Sequence, residues 1–285
     1  MPSFELKTLY RSNDEDHLMF LNRIREKQPD RPMLDEYFKG RHWHGDLEPA
    51  VREGMRMQEE SGHPFVWLTH NNAVSAEVCA AALRVLGITE EDLALGYRCD
   101  PASGSTLPIV ARPGVLVRLT RNEDKSRGFV NGEVGMVCES LAGNAVFTVR
   151  LLESGNMVLV SPVEERGERF LPCCYGYATT IRRVQGASLH LGCLYFDHKH
   201  HHAGRGYVYV GVSRFRTRAG LYLFGKLRRT DFLPVGEEQE GEVLERGYES
   251  KDSDDEEGRG LEYACSESSM QSDDAEPWAQ EGGWK

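Results

Sequence analysis

The chain has 285 residues, of which 40% are apolar and 9% aromatic, a composition typical of a folded globular protein. It contains no run of eighteen apolar residues and no signal-peptide pattern, so we predict neither a membrane span nor a membrane partner. Seven cysteines without a Cys-x-x-Cys pair argue against a zinc ribbon, and we predict no intrinsic metal and an intracellular protein.

The net charge of −11 is divided unevenly along the chain. Residues 236–285 hold 17 acidic and 4 basic side chains, which leaves 28 acidic and 30 basic side chains in residues 1–235. Glu, Asp, Ser and Gly dominate this tail, so we predict that 236–285 is a disordered acidic tail. It would either compete with nucleic acid for a basic face or only keep the chain in solution.

Residues 166–229 are strongly basic, with 12 lysines and arginines against two acidic residues. Such a cluster is expected of a phosphate-binding face, although charge alone favours an ordinary solvated basic surface without a ligand.

The first hundred residues have the pattern of an α/β protein. Apolar positions three apart after Asn13 and Asp14 predict a short helix that ends before Pro29. The apolar run 65–69 predicts a buried strand, and an apolar stripe over 74–86 predicts a helix directly after it. A strand followed at once by a helix is the repeating unit of α/β folds.

Between 113 and 172 the pattern changes to short extended runs. Strands are predicted near 115–119, 134–138, 146–149 and 157–160, and turn pairs such as Asn131-Gly132 and Gly155-Asn156 separate them. Extended runs at 175–179, 193–196 and 220–224 and helices near 181–185 and 206–215 then follow. The α/β pattern resumes, so we predict that a small all-β module is inserted in it.

Four groups of residues carry a resemblance to a known family. They are Leu9-Tyr-Arg-Ser12 with Phe20-Leu-Asn-Arg-Ile-Arg25, Leu68-Thr-His-Asn-Asn72, the segment 112–132, and the pair formed by Tyr177-Ala-Thr-Thr-Ile-Arg-Arg-Val-Gln-Gly-Ala-Ser-Leu189 and Tyr209-Val-Gly-Val-Ser-Arg214. In this order they resemble the C-terminal motor half of a Pif/RecD-like superfamily I ATP-dependent DNA helicase.

The resemblance implies an α/β fold, a second RecA-like domain of the P-loop type. Its first part would be 1–110 and its remainder, with the last two helicase motifs, 173–235. A β-barrel-like insertion would occupy 111–172, and the acidic tail 236–285.

The resemblance also implies roles for individual residues. Arg11 and Arg214 would be the catalytic cations that stabilise charge on the transferred phosphoryl group of ATP. Gln185 and Gly186 would link the nucleotide to the DNA. The residues implied in nucleic-acid contact are Thr69, Asn71, Asn72, Thr179, Thr180, Arg182 and Arg183. Judged by residue type alone, Thr179 and Thr180 are equally well explained as a β-branched pair chosen for strand packing.

No stretch of the chain reads Gly-x-x-x-x-Gly-Lys-Ser/Thr, the loop that holds the phosphates of ATP. We therefore predict a partial or truncated helicase that is inactive alone. An N-terminal ATP-binding domain, in cis or in trans, would complete it, bring ATP and Mg²⁺, and allow translocation on single-stranded or forked DNA. Met1 lies just before the Leu-Tyr-Arg-Ser string, where such a first domain would end, so a truncated chain is expected.

An alternative function is a catalytically inactive nucleic-acid-binding or regulatory module derived from such a helicase. A third hypothesis is an unrelated β-rich interaction protein. The resemblance further implies roles in DNA repair and recombination and a location that is nuclear rather than organellar. The histidines of the tract 198–202 have no spaced cysteine or carboxylate to complete a metal site, so we assign none there.

Overall fold

The computed structural model describes residues 12–196 and 206–234. Arg11, the histidine-rich tract at 198–202 and the predicted acidic tail lie outside these ranges. Within them, no helix combines the length and the apolar character that a membrane crossing requires.

The helices lie mainly at the start of the chain. The α-helices are α1 (Glu15–Glu26), α2 (Arg31–Tyr37), α3 (Leu47–Ser61), α4 (Asn72–Val85), α5 (Glu90–Ala94) and α6 (Tyr207–Val212), and the 3₁₀ turns are Pro101–Ser103, Ile181–Val184 and Arg229–Asp231. The predicted helices before Pro29 and over 74–86 are confirmed as α1 and α4. Asp14 caps α1, since its side chain accepts a hydrogen bond from His17 N at 3.0 Å.

A five-stranded parallel sheet forms the α/β part. Its strands are β1 (His42–Trp43), β2 (Phe65–Thr69), β10 (Ala178–Thr180), β11 (Leu191–Tyr195) and β12 (Leu221–Phe224). Their spatial order is β1-β12-β11-β2-β10, and every neighbouring pair is parallel. A parallel sheet with helices in a mixed α/β chain is consistent with the predicted RecA-like fold.

Strand β2 is the buried strand predicted at 65–69, and its side chains pack on both faces of the sheet. All five of its residues are buried. Phe65 and Trp67 pack into a cluster with α3 and α4, whereas Val66 and Leu68 pack with α1, α2 and α6. This alternation follows from the two-residue period of a strand, and it explains why β2 reads as a continuous apolar run.

A second, antiparallel sheet occupies the middle of the chain. Its strands are β3 (Leu116–Leu119), β4 (Val134–Ala142), β5 (Val146–Leu151), β6 (Met157–Val160) and β9 (Cys173–Tyr175), in the order β6-β5-β4-β3-β9. A hairpin of β7 (Val163–Glu165) and β8 (Glu168–Phe170) lies between β6 and β9 in sequence. The strands predicted near 115, 134, 146 and 157 are confirmed, while the barrel-like shape and the domain boundaries stay predictions.

The chain passes directly from the antiparallel sheet to the parallel sheet at Gly176 and Tyr177. Just before them, the Tyr175 hydroxyl donates to Pro108 O at 2.7 Å and accepts from Val110 N at 2.9 Å. Just after Gly176, the Tyr177 hydroxyl accepts from Leu116 N at 3.0 Å. Residues of both sheets also belong to one hydrophobic cluster, so the two sheets share a continuous core.

Candidate nucleic-acid interface

Two predicted motifs meet where neighbouring parallel strands end. Thr180, the last residue of β10, pairs with Thr69, the last residue of β2. The chain then enters α4 from β2 and the 3₁₀ turn Ile181–Val184 from β10. Ligands of open α/β sheets bind at the carboxyl ends of the strands. The structure therefore brings the two strings predicted to contact nucleic acid to a single edge of the sheet.

Thr69 and Asn71 use their side chains within the protein. Thr69 is fully buried, and its hydroxyl donates to Asn71 O at 2.9 Å and lies 2.6 Å from Ser75 Oγ. The Asn71 side chain caps α4, because its Oδ1 accepts from Val74 N at 2.8 Å. These two residues shape the turn after β2 and hold the start of α4 in place.

Arg183 and Asn72 converge on the 3₁₀ turn Pro101–Ser103. Arg183 donates to Ser103 O and, at 3.1 Å, to Ala102 O. Asn72 is exposed, and its side chain lies against Gly104, whose φ of +65° suits glycine. A side chain at position 104 would collide with Asn72, so the glycine allows this close approach.

Arg182 lies on another side of the same strand end. It is exposed and close to Tyr207, whose pKa is raised by burial and lowered in part by the Arg182 guanidinium. The Tyr207 hydroxyl donates to His70 O at 3.1 Å. Arg182 and Arg183 are therefore adjacent in sequence, but Arg182 lies near Tyr207 whereas Arg183 binds the turn Pro101–Ser103.

A groove of about 780 Å³ runs between the parallel-sheet edge and the antiparallel sheet. One wall comes from α4, β10 and the loop after the turn Ile181–Val184. The other comes from the end of β3, the 131–134 segment and residues 152–153, with residues 102–105 between the two walls. Of the predicted site residues, the groove is lined by Asn72, Thr179, Thr180, Arg183 and Gln185.

Both walls of the groove carry arginines, and the groove as a whole has more basic than acidic lining residues. Its basic lining residues are Arg118, Arg121, Arg183 and Arg216, and its acidic ones are Glu133 and Glu153. Burial and, to a smaller extent, the nearby Glu153 raise the pKa of Glu133, so this carboxylate takes up a proton more readily than an exposed one. Burial lowers the pKa of Arg118, although the nearby thiols of Cys174 and Cys79 oppose the change. Arginine is the residue best suited to hold a phosphate through a planar fork of donors.

Sequence reasoning missed three of these arginines. Arg118 does carry a signal, since it is the charged residue inside the otherwise apolar run Leu116–Leu119. Arg121 lies on a loop, and nothing local marks it. Arg216, also on a loop, falls within the basic region 166–229, but no motif singles it out there. Only the packing of the antiparallel sheet against the parallel sheet places Arg118 and Arg121 opposite Arg183 and Arg216.

The loop after Gln185 joins the groove to the Ser-Arg motif. Leu189 N donates to Arg214 O at 2.8 Å, and Arg216 N donates to Leu189 O at 3.0 Å. Gln185 and Gly186 are exposed, and Gly186 has a φ of +92°, a conformation that favours glycine. Leu189 thus connects this loop to the backbone on either side of Phe215.

Arg214 is half-buried just beyond α6. Its Nε donates to Val210 O at 3.0 Å, and its Nη2 donates to Ser213 Oγ at 2.7 Å. These bonds hold the guanidinium against the last turn of α6. Arg214 is not among the residues that line the groove.

The first described residues are bound to the same segment. Ser12 Oγ donates to Arg216 O at 2.5 Å, and Arg218 N donates to Asp14 Oδ2 at 2.7 Å. The described chain thus begins at residues that are hydrogen-bonded to the segment following Arg214, and Arg11 lies outside the described residues.

His17 ties α1 to this segment. It is fully buried, with Nε2 3.1 Å from Phe215 O and Nδ1 2.6 Å from the Tyr37 hydroxyl. A carbonyl only accepts, so Nε2 carries the proton and Nδ1 accepts from Tyr37. Burial lowers the pKa of His17, against a smaller opposing effect of Asp14. His17 is therefore neutral in the folded chain at neutral pH.

We predict that the free energy of unfolding falls as the pH is lowered and that His17→Gln makes this fall smaller. The pKa of His17 is lower in the folded than in the unfolded chain, so the unfolded chain binds the extra proton as the pH falls below about 6.5. Between pH 7.5 and 5.5 the wild type should lose up to about 1.4 kcal/mol more than the variant. Urea unfolding at both pH values measures this difference.

Other groups titrate in the same range, including Asp231, whose pKa burial raises to about 6. They act in both proteins and cancel in the comparison. Equal pH dependence in the two proteins would show that His17 does not carry the effect.

Comparison with known proteins identifies the fold. No established family profile matches the sequence, and no curated protein matches it either. Among solved structures, the chain is similar to the Pif1 helicase from Bacteroides in complex with ADP-AlF3 and ssDNA, with 19% identity, a TM-score of 0.56, and coverage of 81% of this chain and 54% of that one. It is also similar to the Pif1 helicase from Candida albicans, with 16% identity, a TM-score of 0.57, and coverage of 82% and 59%.

A third similar structure is Bacteroides Pif1 bound to ssDNA, with 18% identity, a TM-score of 0.54, and coverage of 80% of this chain and 53% of that one. The chain thus spans little more than half the length of these helicases. It has the fold of part of a Pif1 helicase, which confirms the resemblance predicted from the sequence.

Proposed function

We propose that this chain is the second half of an ATP-driven DNA helicase motor. It would hold single-stranded or forked DNA in the groove and act on ATP only together with an ATP-binding first domain, in cis or in trans. The observation that carries the proposal is the groove itself, where cations of both sheets face each other at the strand ends that hold the two predicted motifs.

The groove residues would grip the phosphodiester backbone. Arg121, Arg183 and Arg216 would contact phosphates, which fixes the position of a strand without reading its sequence. Asn72 and Thr180 would add hydrogen bonds from the parallel-sheet wall. Thr69 and Asn71 would act beneath them by fixing the turn and the start of α4.

This chain offers only part of an ATP site. Its sequence has no phosphate-holding loop, and among residues 12–196 and 206–234 no group of three His, Cys, Asp or Glu side chains could hold a metal ion. The phosphates and Mg²⁺ would therefore be held by the first domain. Bound ATP would supply the transferable phosphoryl group, while Arg214 and Arg11 of this chain would stabilise its negative charge.

The backbone hydrogen bonds of Leu189 would connect DNA binding in the groove with the action of Arg214 on ATP. Gln185 lines the groove, and the loop that it begins is hydrogen-bonded to Arg214 through Leu189. A change at the nucleotide would then reach the strand through one short loop. Roles in DNA repair and recombination, and a nuclear location, remain predictions.

A second candidate function is a nucleic-acid-binding or regulatory module without catalysis. It is favoured by the combination of a groove formed within this chain and a sequence without the phosphate-holding loop. Both candidates require the groove to bind nucleic acid, and they differ in whether Arg214 acts on ATP.

Strand binding is tested with the 285-residue chain and a fluorescent oligothymidylate. Arg183→Gln and Arg216→Gln should each weaken binding about fivefold at 0.1 M salt and lower the slope of log Kd against log salt by about 0.7. Fluorescence anisotropy over a salt series measures both quantities.

The matched controls are Arg56→Gln and Arg84→Gln, which remove the same charge from exposed ion pairs outside the groove. They should change the affinity less than twofold. Binding that is insensitive to salt, or equal losses in the control and groove variants, would contradict the proposed site.

The helicase half and the binding module are separated by ATP hydrolysis in trans. The chain is mixed with an isolated first domain from a Pif/RecD-like helicase, and phosphate release is measured with single-stranded DNA present. A motor half should stimulate release, and Arg214→Gln should abolish the stimulation while leaving DNA binding unchanged. Strand binding without stimulation would support the module.

A further inference from the structure

A buried carboxylate lies behind the groove. Asp100 has no exposed surface, and its Oδ2 accepts from the Thr120 hydroxyl at 2.6 Å. The same carboxylate accepts a hydrogen bond from Arg121 Nη2 at 3.2 Å, and it lies 2.9 Å from Arg121 Nε in an ion pair without hydrogen-bond geometry. Thr120 and Arg121 both line the groove, so Asp100 holds part of its antiparallel-sheet wall from the inside.

Asp100 also builds the turn that holds the other wall. Its Oδ1 accepts from Ala102 N at 2.8 Å and thereby caps the 3₁₀ turn Pro101–Ser103. The carbonyls of Ala102 and Ser103 accept from Arg183. One buried side chain is thus connected to two cations that reach the groove from different sheets.

The Arg121 guanidinium is held from several directions. It bonds Asp100, pairs with Glu165 at 3.0 Å and lies 5.4 Å over the Phe170 ring. Its side chain is nevertheless 35% exposed, so it can still present N–H groups to a ligand. A cation fixed in this way loses less conformational entropy when it binds an anion than a mobile arginine does.

We propose that Asp100 is a positioning residue for nucleic-acid binding. It fixes Arg121 directly, and Arg183 through the turn, so that both cations are held in place at the groove. This inference rests on the proposed function, because it assigns Asp100 a role in the groove that the proposal uses.

A simple charge effect predicts the opposite result. Asp100 is a negative charge close to a site for an anion, so removing that charge should strengthen binding if electrostatics alone decided. Positioning predicts weaker binding, because Arg121 becomes mobile and the turn that holds Arg183 is loosened. The sign of the change therefore separates the two explanations.

The test is Asp100→Asn, which keeps the side-chain shape and an oxygen for the cap. In oligothymidylate binding by the full chain, the variant should bind about fivefold more weakly at 0.1 M salt, the loss of about one phosphate contact. Asp35→Asn is the matched control, because it makes the same change in an exposed carboxylate paired with Arg31 outside the groove. It should leave the affinity within twofold. Binding by Asp100→Asn that equals or exceeds that of the wild type would overturn the inference.

A double-mutant cycle separates positioning from loss of fold. In an Arg121→Gln background, Asp100→Asn should cost clearly less than in the wild type, because one of its two targets is gone. If Asp100→Asn weakens binding by the same factor in the Arg121→Gln background as in the wild type, the inference is contradicted. If Asp100→Asn does not fold by circular dichroism, Thr120→Val replaces it, since this variant removes only the hydroxyl held by Asp100. It should also weaken binding, and wild-type affinity for it would overturn the inference.

The wild type distinguishes failure of this inference from failure of the proposed function. A wild-type chain that shows no salt-dependent strand binding defeats both. A wild-type chain that binds, with Asp100→Asn binding equally well, defeats only the role of Asp100.

Discussion

The passage of the chain from the antiparallel to the parallel sheet is the constraint on which the rest of the structure depends. It takes two residues, Gly176 and Tyr177, and a side chain at position 176 would press on the Val117 backbone. The hydroxyls of Tyr175 and Tyr177 bind backbone groups near the start of the antiparallel sheet. Because these polar contacts lie inside a shared apolar core, breaking one leaves a buried group without a partner. The two sheets are therefore held at one spacing.

That spacing creates the groove. Neither sheet alone forms a cationic channel, since Arg118 and Arg121 belong to one and Arg183 and Arg216 to the other. The turn that Asp100 caps connects the walls at one point. A second connection leads away from the groove, through Leu189 to the segment that carries Arg214. In the proposed motor, the turn capped by Asp100 would support binding of the DNA strand, and the link through Leu189 would couple the groove to the ATP-binding side.

Local patterns predicted much of the fold. Continuous apolar residues in β2, the stripe in α4 and the Asn-Gly and Gly-Asn pairs between the antiparallel strands are strong short-range signals. The extended run predicted at 175–179 instead covers the end of β9 and the start of β10, which pair with different sheets. Sequence period cannot show which partner an extended segment takes.

The site was predicted less completely, for a physical reason. Motif order placed Asn72, Thr179, Thr180, Arg183 and Gln185 together, and the structure brings them to one groove. It did not reveal that the Thr69 hydroxyl is used internally or that Asn71 caps a helix. Arg121 and Asp100 gain their importance from packing between segments, and a sequence read alone does not contain that packing.

The most direct measurement is photocrosslinking of the full chain to an oligonucleotide that contains 4-thiothymidine, followed by mass spectrometry of the linked peptides. The account predicts that crosslinks map to both walls of the groove, around residues 102–105, 118–121, 131–134 and 179–185. Crosslinks confined to one wall, or found mainly on the outer faces of α3 or β6, would contradict the claim that a single strand lies between the two sheets.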